Sequence, residues 1–374
     1  MKLSLTEEQE MLKKTARDFL ADKCPKSFVR EMEASDTGYS PELWQDMAEL
    51  GWIGLAFPEE YGGGGMGFLD LAVLLEEMGR ACLPGPFFST VILGGLTILD
   101  AGSEEQKQKY LPAVIRGERI LTAGLYEAGL RSFNVSPPTM EATLDGGDYV
   151  VSGTKLFVPD ARIADHLLCL ASTKPEHGIA VFTVDAGSPG ISSSPLSTIG
   201  GDKLFEVEFD GVQVPRTNML AQTDDGRGIA QKIAKRAAVA RCCEMVGNMQ
   251  RVLEMTVDYA KERKQFDRPI GSFQVIQHYC AEMATDVDGA RLCAYRAAWM
   301  LSHGLPCTSE AAIAKVWTGE ASRRVIDRAH QIHGAIGVTT EHDLHFHTRR
   351  AKAAELMFGD ADLHRETIAR EMGL

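Results

Sequence analysis

The sequence predicts an α+β protein, mainly α: a helical N-terminal domain (1–118), a central β-barrel or sandwich domain (119–225) and a C-terminal helical bundle (226–374). Two observations predict it. In both outer segments apolar residues recur every three or four positions, the period of a helix with one buried face. Near residue 120 the pattern changes to short alternating or β-branched runs broken by Gly, Asp and Pro, as strands require.

In the first segment, "MKLSLTEEQEMLKKTARDFL" mixes acids and lysines with apolar residues. It reads as an amphipathic helix rather than a signal peptide. "PELWQDMAELGWIGLAF" has helical spacing and then a Gly stop, and "GFLDLAVLLEEMGRACL" is a mostly buried helix. "SEEQKQKYLPAVIRG" starts on a Ser N-cap and ends at Gly117. The four glycines of "PEEYGGGGMG" predict a flexible loop. They make a weak phosphate cradle, because no Lys-Ser/Thr follows.

In the middle segment, "EATLDGGDYVVSGTKLFV", "HLLCLAST", "IAVFTVD" and "KLFEVEFDGVQV" read as antiparallel strands, with "DGGDY" a hairpin turn. Beyond 226, Ile229, Ile233, Ala237, Ala240, Cys243, Val246, Met249, Leu253, Val257 and Ala260 lie on one stripe of a long helix ending near Arg263. A second helix follows a Ser N-cap at "SFQVIQHYC", a third closes at Gly334, and a last one covers about 361–372.

A chain of 374 residues, 44% hydrophobic and 24% charged, is long enough for two or three packed units. Its net charge of −13 disfavours non-specific binding to nucleic acid or anionic membrane. No run of 18 uncharged apolar residues predicts a membrane span. The eight cysteines form no CxxC pair and read as reduced, packed thiols, which fits a cytoplasmic protein.

Three stretches carry a family resemblance. "YAKERKQFDRPIGSFQVIQHYCAEMA" resembles a signature of the acyl-CoA dehydrogenases, "QIHGAIGVTTEHDLHFHTRRAK" resembles their C-terminal signature, and "GSEEQKQKYLP" resembles their linker into the β-domain. The similarity runs from about residue 5 to 371. It implies a four-helix C-terminal bundle and FAD held between that bundle and the β-domain of a tetramer. It also implies an acyl-CoA thioester as substrate and an electron-transferring flavoprotein as acceptor. In the family chemistry a base takes the proton next to the thioester and a hydride leaves the next carbon for the flavin. Because that proton is a weak acid, a backbone N–H and a flavin hydroxyl stabilise the enolate oxygen.

Carried over residue by residue, the resemblance places Arg263 and Phe266 against the FAD pyrophosphate and adenine of a neighbouring subunit, with Gln274 reaching the adenosine. Gln331, Gly334 and Ala335 match the family's Gln-x-x-Gly-Gly, with Ala335 in place of the second Gly. Thr340 and Glu341 match its Thr-Glu. Tyr126 and Glu127 occupy the stretch where the family has a flavin-contacting Thr-Glu. Phe157 takes the place of its flavin-packing Trp. Pro159 takes the place of a flavin-bonding Thr and offers neither hydroxyl nor N–H.

The departure that matters lies in "ELMFGD". Phe358 stands where the family's catalytic glutamate precedes Gly359, and Asp360 stands on a threonine that commonly touches FAD. A phenyl ring cannot accept a proton, although the backbone N–H of residue 358 survives. Some relatives carry the base on the long helix instead, at the position of Ala237. Glu244 lies two turns further on, rotated by only about 20° and displaced by about 10 Å. It is the favoured relocated base, and Arg241 is its nearest ion-pair partner. Glu127, Glu355, Asp360 and the "HDLHFH" histidines are weaker candidates. Ala237, Arg241 and Phe358 are the expected substrate-pocket residues. Three readings stay open: an active dehydrogenase using Glu244, a subunit of a heteromeric dehydrogenase whose homologous partner supplies the base, and a thioester-binding flavoprotein without redox turnover.

Overall fold

The computed structural model describes residues 4–129, 138–174, 178–220 and 226–374; the predicted boundary at 225 lies outside them. The N-terminal region holds α1 (Glu7–Lys23), α2 (Lys26–Ala34), α3 (Pro41–Glu49), α4 (Phe68–Ala81), α5 (Leu96–Ala101) and α6 (Glu104–Ile115). Thr6 and Ser103 close capping boxes at α1 and α6, so two of the orphan amide donors at each start are answered. Gly62, Gly64 and Gly65 are exposed, but the loop is tied down by backbone hydrogen bonds. Gly64 N–H donates to Gly54 O and Gly65 N–H to Phe57 O, and a Cβ on Gly63 would sit 2.1 Å from Phe57 O. Glycine is needed there for close backbone approach.

A π-helical segment, Phe88–Gly95, runs directly into α5. A π-helix pairs each carbonyl with the amide five residues on, and such wider turns are rare. Arg236, buried on the long helix of the C-terminal region, supplies donors from outside: Nε to Ile92 O at 3.1 Å, Nη1 to Leu96 O at 3.1 Å and Nη2 to Thr97 Oγ1 at 2.7 Å.

The β-domain comprises β1 (Leu121–Gly124), β2 (Glu141–Asp145), β3 (Asp148–Pro159), β4 (His166–Lys174), β5 (Ile179–Asp185), β6 (Ile191–Leu196), β7 (Leu204–Val214) and β8 (Met219–Leu220). They form one sheet in the order β6-β7-β3-β2-β4-β5-β8, with β1 on β4. β2 and β3 make the expected "DGGDY" hairpin. The sheet is mixed, not wholly antiparallel, because β1 and β2 both pair with β4 in parallel. Residues of β3, β4, β5 and β7 share one apolar cluster, so the sheet closes over its own core.

The C-terminal region holds α7 (Gly226–Glu262), a hairpin of β9 (Lys264–Gln265) and β10 (Arg268–Pro269), α8 (Gln274–Ser302), α9 (Thr308–His333), α10 (Leu344–Leu356) and α11 (Ala361–Glu371). α7 has 37 residues, a rod of about 55 Å. The N-cap of α8 is Phe273 and not the expected Ser272, whose hydroxyl donates to Pro269 O instead.

α4 and α7 cross in backbone contact. A Cβ on Gly247 would fall 1.7 Å from Glu76 O, and one on Gly79 would fall 2.0 Å from Glu244 O. This crossing sets Glu244 against the C-terminal end of α4. Gly247→Ala is expected to push the helices apart and destabilise the protein by about 3 kcal/mol, measured by urea unfolding.

All eight cysteines are free. Among the described residues, no helix is long and apolar enough to cross a membrane.

Candidate active site

The "ELMFGD" turn links α10 to α11 and is fastened from four sides. Phe358 has φ +59°, a left-handed conformation costly for a side chain with a Cβ. Its N–H donates to Tyr126 Oη at 2.8 Å, and its carbonyl accepts from His364 Nε2 at 2.9 Å. Buried Lys315 of α9 donates to Glu355 O and Gly359 O, both at 2.7 Å. Asp360 caps α11 by accepting from Leu363 N–H at 3.0 Å. Burial pushes the Lys315 amine down to about 8, the His364 imidazole down to about 4 and the Tyr126 phenol up to about 12.

Contacts run unbroken from this turn to Glu244. The Phe358 ring lies 5.7 Å from the Phe88 ring, tilted by 30°. The Arg241 guanidinium sits 3.8 Å over the other ring of that pair, Phe88. Arg241 Nη1 donates to Glu244 Oε2 at 2.7 Å. The sequence-predicted pair therefore forms. The Glu244 side chain keeps 19% exposure and lines a cavity of about 90 Å³ with Phe88, Met357 and Arg241. Burial raises the Glu244 carboxyl above its usual range, and the positive charge of Arg241 opposes that shift.

Asp160 was invisible to sequence reasoning. It follows Pro159 at the end of β3 with φ +54° and is buried on the wall of the same cavity. Ser89 Oγ donates to its Oδ2 at 2.5 Å. Burial pushes the carboxyl up to about 6, against that hydrogen bond. A carboxyl raised on folding makes the folded state hold its proton longer, so its contribution to stability falls as pH rises from about 4 to about 6. Asp160→Asn removes that loss. The variant is expected to gain about 1–3 kcal/mol over the native protein at pH 7 relative to pH 4, read from urea unfolding at the two pH values.

Several sequence-stated candidates lie elsewhere. Ala237 is fully buried in the main apolar core and lines neither cavity described here. Glu127 is locked inside the β-domain by Lys155 Nζ, Thr139 and Met140 N–H, so it is not poised as a base. Glu355 is tied up by Arg323 and Lys352. Buried His347 faces Cys82 Sγ at 3.5 Å, and among the described residues no group of His, Cys, Asp and Glu could hold a metal ion. Phe358, expected to line the substrate pocket, is buried and does not line the cavity beside Glu244; it borders a second cavity of about 530 Å³, together with Tyr126 and Gly359.

That second cavity fits a flavin. Its volume lies in the range of cofactor pockets. Beside it, Phe157 holds a half-exposed ring at φ +54°, edge-on to Tyr126 at 6.4 Å. A strained backbone presenting an uncovered aromatic ring is a feature expected at a binding site. The other expected FAD residues gather at the far end of α7. Tyr259 stacks on His333 at 4.5 Å, which joins the Arg263 end of α7 to Gln331, Gly334 and Ala335 at the end of α9. There the β9–β10 turn puts Phe266 (φ +53°) and Asp267 (φ +61°) in left-handed conformations, with Phe266 87% exposed. Gln274, Arg263, Gln331, Gly334 and Ala335 are also exposed. Phe266, Ile336 and Val338 leave exposed apolar surface at this end of the molecule.

This fold and these sites define a flavoprotein oxidoreductase acting on carbon–carbon bonds. The chain belongs to the acyl-CoA dehydrogenase family. Residues 6–118 match the family's N-terminal domain, 124–212 its middle domain and 224–373 its C-terminal domain. The chain is 34% identical over 387 residues to the probable acyl-CoA dehydrogenase YngJ of Bacillus subtilis, covering 100% of both. It also resembles a chain of the ChsE4–ChsE5 complex of Mycobacterium tuberculosis, with 31% identity, TM-score 0.91 and coverage of 100% and 99%. A further solved relative is PigA with FAD and proline, with 25% identity, TM-score 0.92 and 100% of both chains covered. FAD is the cofactor of this family.

Proposed function

We propose that this protein removes hydrogen across the α,β bond of an acyl-CoA thioester, with Glu244 as the relocated base. The observation that carries this reading is the unbroken contact from Phe358 through Phe88 and Arg241 to Glu244, which ends in a carboxylate on the cavity wall. FAD, when bound, supplies the hydride acceptor and is held on one side by Phe157, Tyr126, Gly359 and Asp360. Arg263, Phe266, Gln274 and the 331–335 turn serve the FAD of a neighbouring subunit.

The chain's own residues divide the remaining work. Phe358 closes the place of the usual glutamate and excludes water there. Glu244, raised by burial, takes the proton next to the thioester carbonyl. The Phe358 N–H already donates to Tyr126 Oη. A thioester oxygen that takes the Phe358 N–H therefore displaces that oxygen. Electrons would pass to an electron-transferring flavoprotein.

A second reading follows from the likeness to a chain of the ChsE4–ChsE5 complex: this protein works beside a homologous subunit that supplies the base. One experiment tests both. The yellow protein, purified with and without a homologous partner, is mixed anaerobically with a panel of acyl-CoA thioesters. Bleaching of the flavin by the chain alone supports Glu244. Bleaching only in the complex supports a shared site, and a colourless protein overturns both readings.

A further inference from the structure

Lys315 is a buried cation with no part in the proton transfer proposed for Glu244. It belongs to α9 and is only 2% exposed. Its ammonium donates to Glu355 O and Gly359 O, both at 2.7 Å. Both acceptors are backbone carbonyls, and among the described residues the amine makes no ion pair. Burying a charge without an opposite partner is costly, and an apolar side chain of similar length would fill the space without that cost.

The two carbonyls show what the charge does. Glu355 lies in the last turn of α10, where carbonyls lack an intrahelical donor and the helix dipole favours a cation. Gly359 lies beyond that end, at φ +97°. One ammonium thus ties the helix end to the chain just past it. Between the tied carbonyls the backbone passes through Phe358 at φ +59°, a strained conformation that persists where surrounding bonds over-determine it. Lys315 supplies two of those bonds and His364 Nε2, donating to Phe358 O at 2.9 Å, a third. They fix the direction of one amide. The Phe358 N–H donates to Tyr126 Oη at 2.8 Å, and Tyr126, Phe358 and Gly359 border the cavity of about 530 Å³. Lys315 is not itself on that wall, so it acts through the turn.

We propose that Lys315 is a positioning residue for the thioester. It aims the Phe358 N–H at the thioester oxygen, and its charge behind the turn favours the negative charge that gathers on that oxygen as the neighbouring proton leaves. The inference rests on the reading of an acyl-CoA substrate at this turn, and it adds the residue that prepares the turn for it. Donors fixed before the reaction stabilise developing charge without reorganising at that moment.

Burial pushes the Lys315 amine down to about 8, so its charge is present at pH 7 and is lost as pH rises through that value. Of the groups around it, burial pushes the Cys242 thiol of α7 up to about 11, the Tyr126 phenol up to about 12 and the His364 imidazole of α11 down to about 4. None of these three changes charge near pH 8. Burial works against the Glu355 carboxylate of α10, but Arg323 and Lys352 hold it below the usual carboxylate range. Asp360 and Arg241 complete the charges that face the amine.

Two CoA ligands that cannot be oxidised provide the test. One is a thioester with no hydrogen on its β-carbon, and the other is the thioether in which CH2 replaces the carbonyl. Titration calorimetry on the flavin-loaded protein gives the ratio of their affinities. A merely structural loss weakens both ligands alike and leaves that ratio unchanged. At pH 7 the native protein is expected to prefer the thioester about tenfold, the size of one good hydrogen bond. At pH 9 the preference should fall to about threefold or less. Lys315→Arg stays charged and should hold its preference constant between the two pH values. Lys315→Met should show about threefold or less at both. A native preference unchanged between pH 7 and 9 overturns the proposal, and this arm needs no variant to fold. A folded Lys315→Met that keeps the full preference overturns it too. No preference in the native protein at pH 7 overturns it together with the placement of the thioester at this turn. A protein that shows the expected ratios but never bleaches its flavin keeps this inference and loses the proposed activity. One that bleaches while Lys315→Met keeps the full preference does the reverse.

Discussion

Glu244→Gln is expected to slow anaerobic flavin bleaching by an acyl-CoA thioester about a thousandfold, within the range a positioned base supplies. Glutamine keeps the size of the side chain and can still accept from Arg241, so packing against α4 should survive. Only the proton acceptor is lost. The pH profile separates loss of a base from a general defect. A base works deprotonated, and burial raises the Glu244 carboxyl. The native rate should therefore climb with pH through that raised pKa and then level, and the residual rate of the variant should lack this limb. Asp160 offers the control, as a second carboxyl on the same cavity wall, lifted to about 6. If Glu244→Gln keeps both rate and limb while Asp160→Asn loses them, the base is Asp160. If both variants bleach normally in complex with a homologous subunit, the base lies on the other chain.

What the sequence made legible follows the range of the forces involved. The long helices were readable because a helix answers its own backbone, so a stripe of apolar residues suffices. The Arg241–Glu244 pair was readable for the same reason, being three residues apart on one helix. The parallel pairing of β1 and β2 with β4 was not, because strand partners are chosen by long-range packing. The β9–β10 hairpin escaped notice because its turn holds Phe266 and Asp267, where such turns favour Asn-Gly. Asp160 as a site residue was hidden too. Its environment is made by Ser89, 71 residues earlier, and no local pattern reports that contact. The glycine run was legible as a loop, but its backbone bonds to Gly54 and Phe57 were not, because no local pattern reports them.

The π-helical segment is the clearest case of local structure fixed from a distance, and it carries the largest stability effect expected here. Phe88 and Ser89 start that segment, and both face the cavity. Phe88 carries Arg241 on its ring and Ser89 donates to Asp160, so the shape of the segment sets the position of both candidate carboxylates. Nothing in an apolar, β-branched run enforces a π-turn. Arg236 ties its end from another helix, donating to Ile92 O, Leu96 O and Thr97 Oγ1 and pairing with Asp100 at 2.5 Å. Burial lowers its pKa, with Asp100 opposing, yet a guanidinium stays charged. Arg236→Met keeps the apolar stem and removes every donor that Ile92 O, Leu96 O and Thr97 Oγ1 receive from α7, and leaves Asp100 without its cation. Breaking a buried charged network from one side costs about 3–5 kcal/mol, so urea unfolding should show a loss of that size. Arg236→Lys should recover only part of it, because one ammonium cannot reach three directions at once. A variant that unfolds like the native protein would show that the segment holds its π-turn by packing alone. Flavin bleaching measured on the folded fraction of Arg236→Met then reports whether Phe88 and Ser89 keep Glu244 and Asp160 in place.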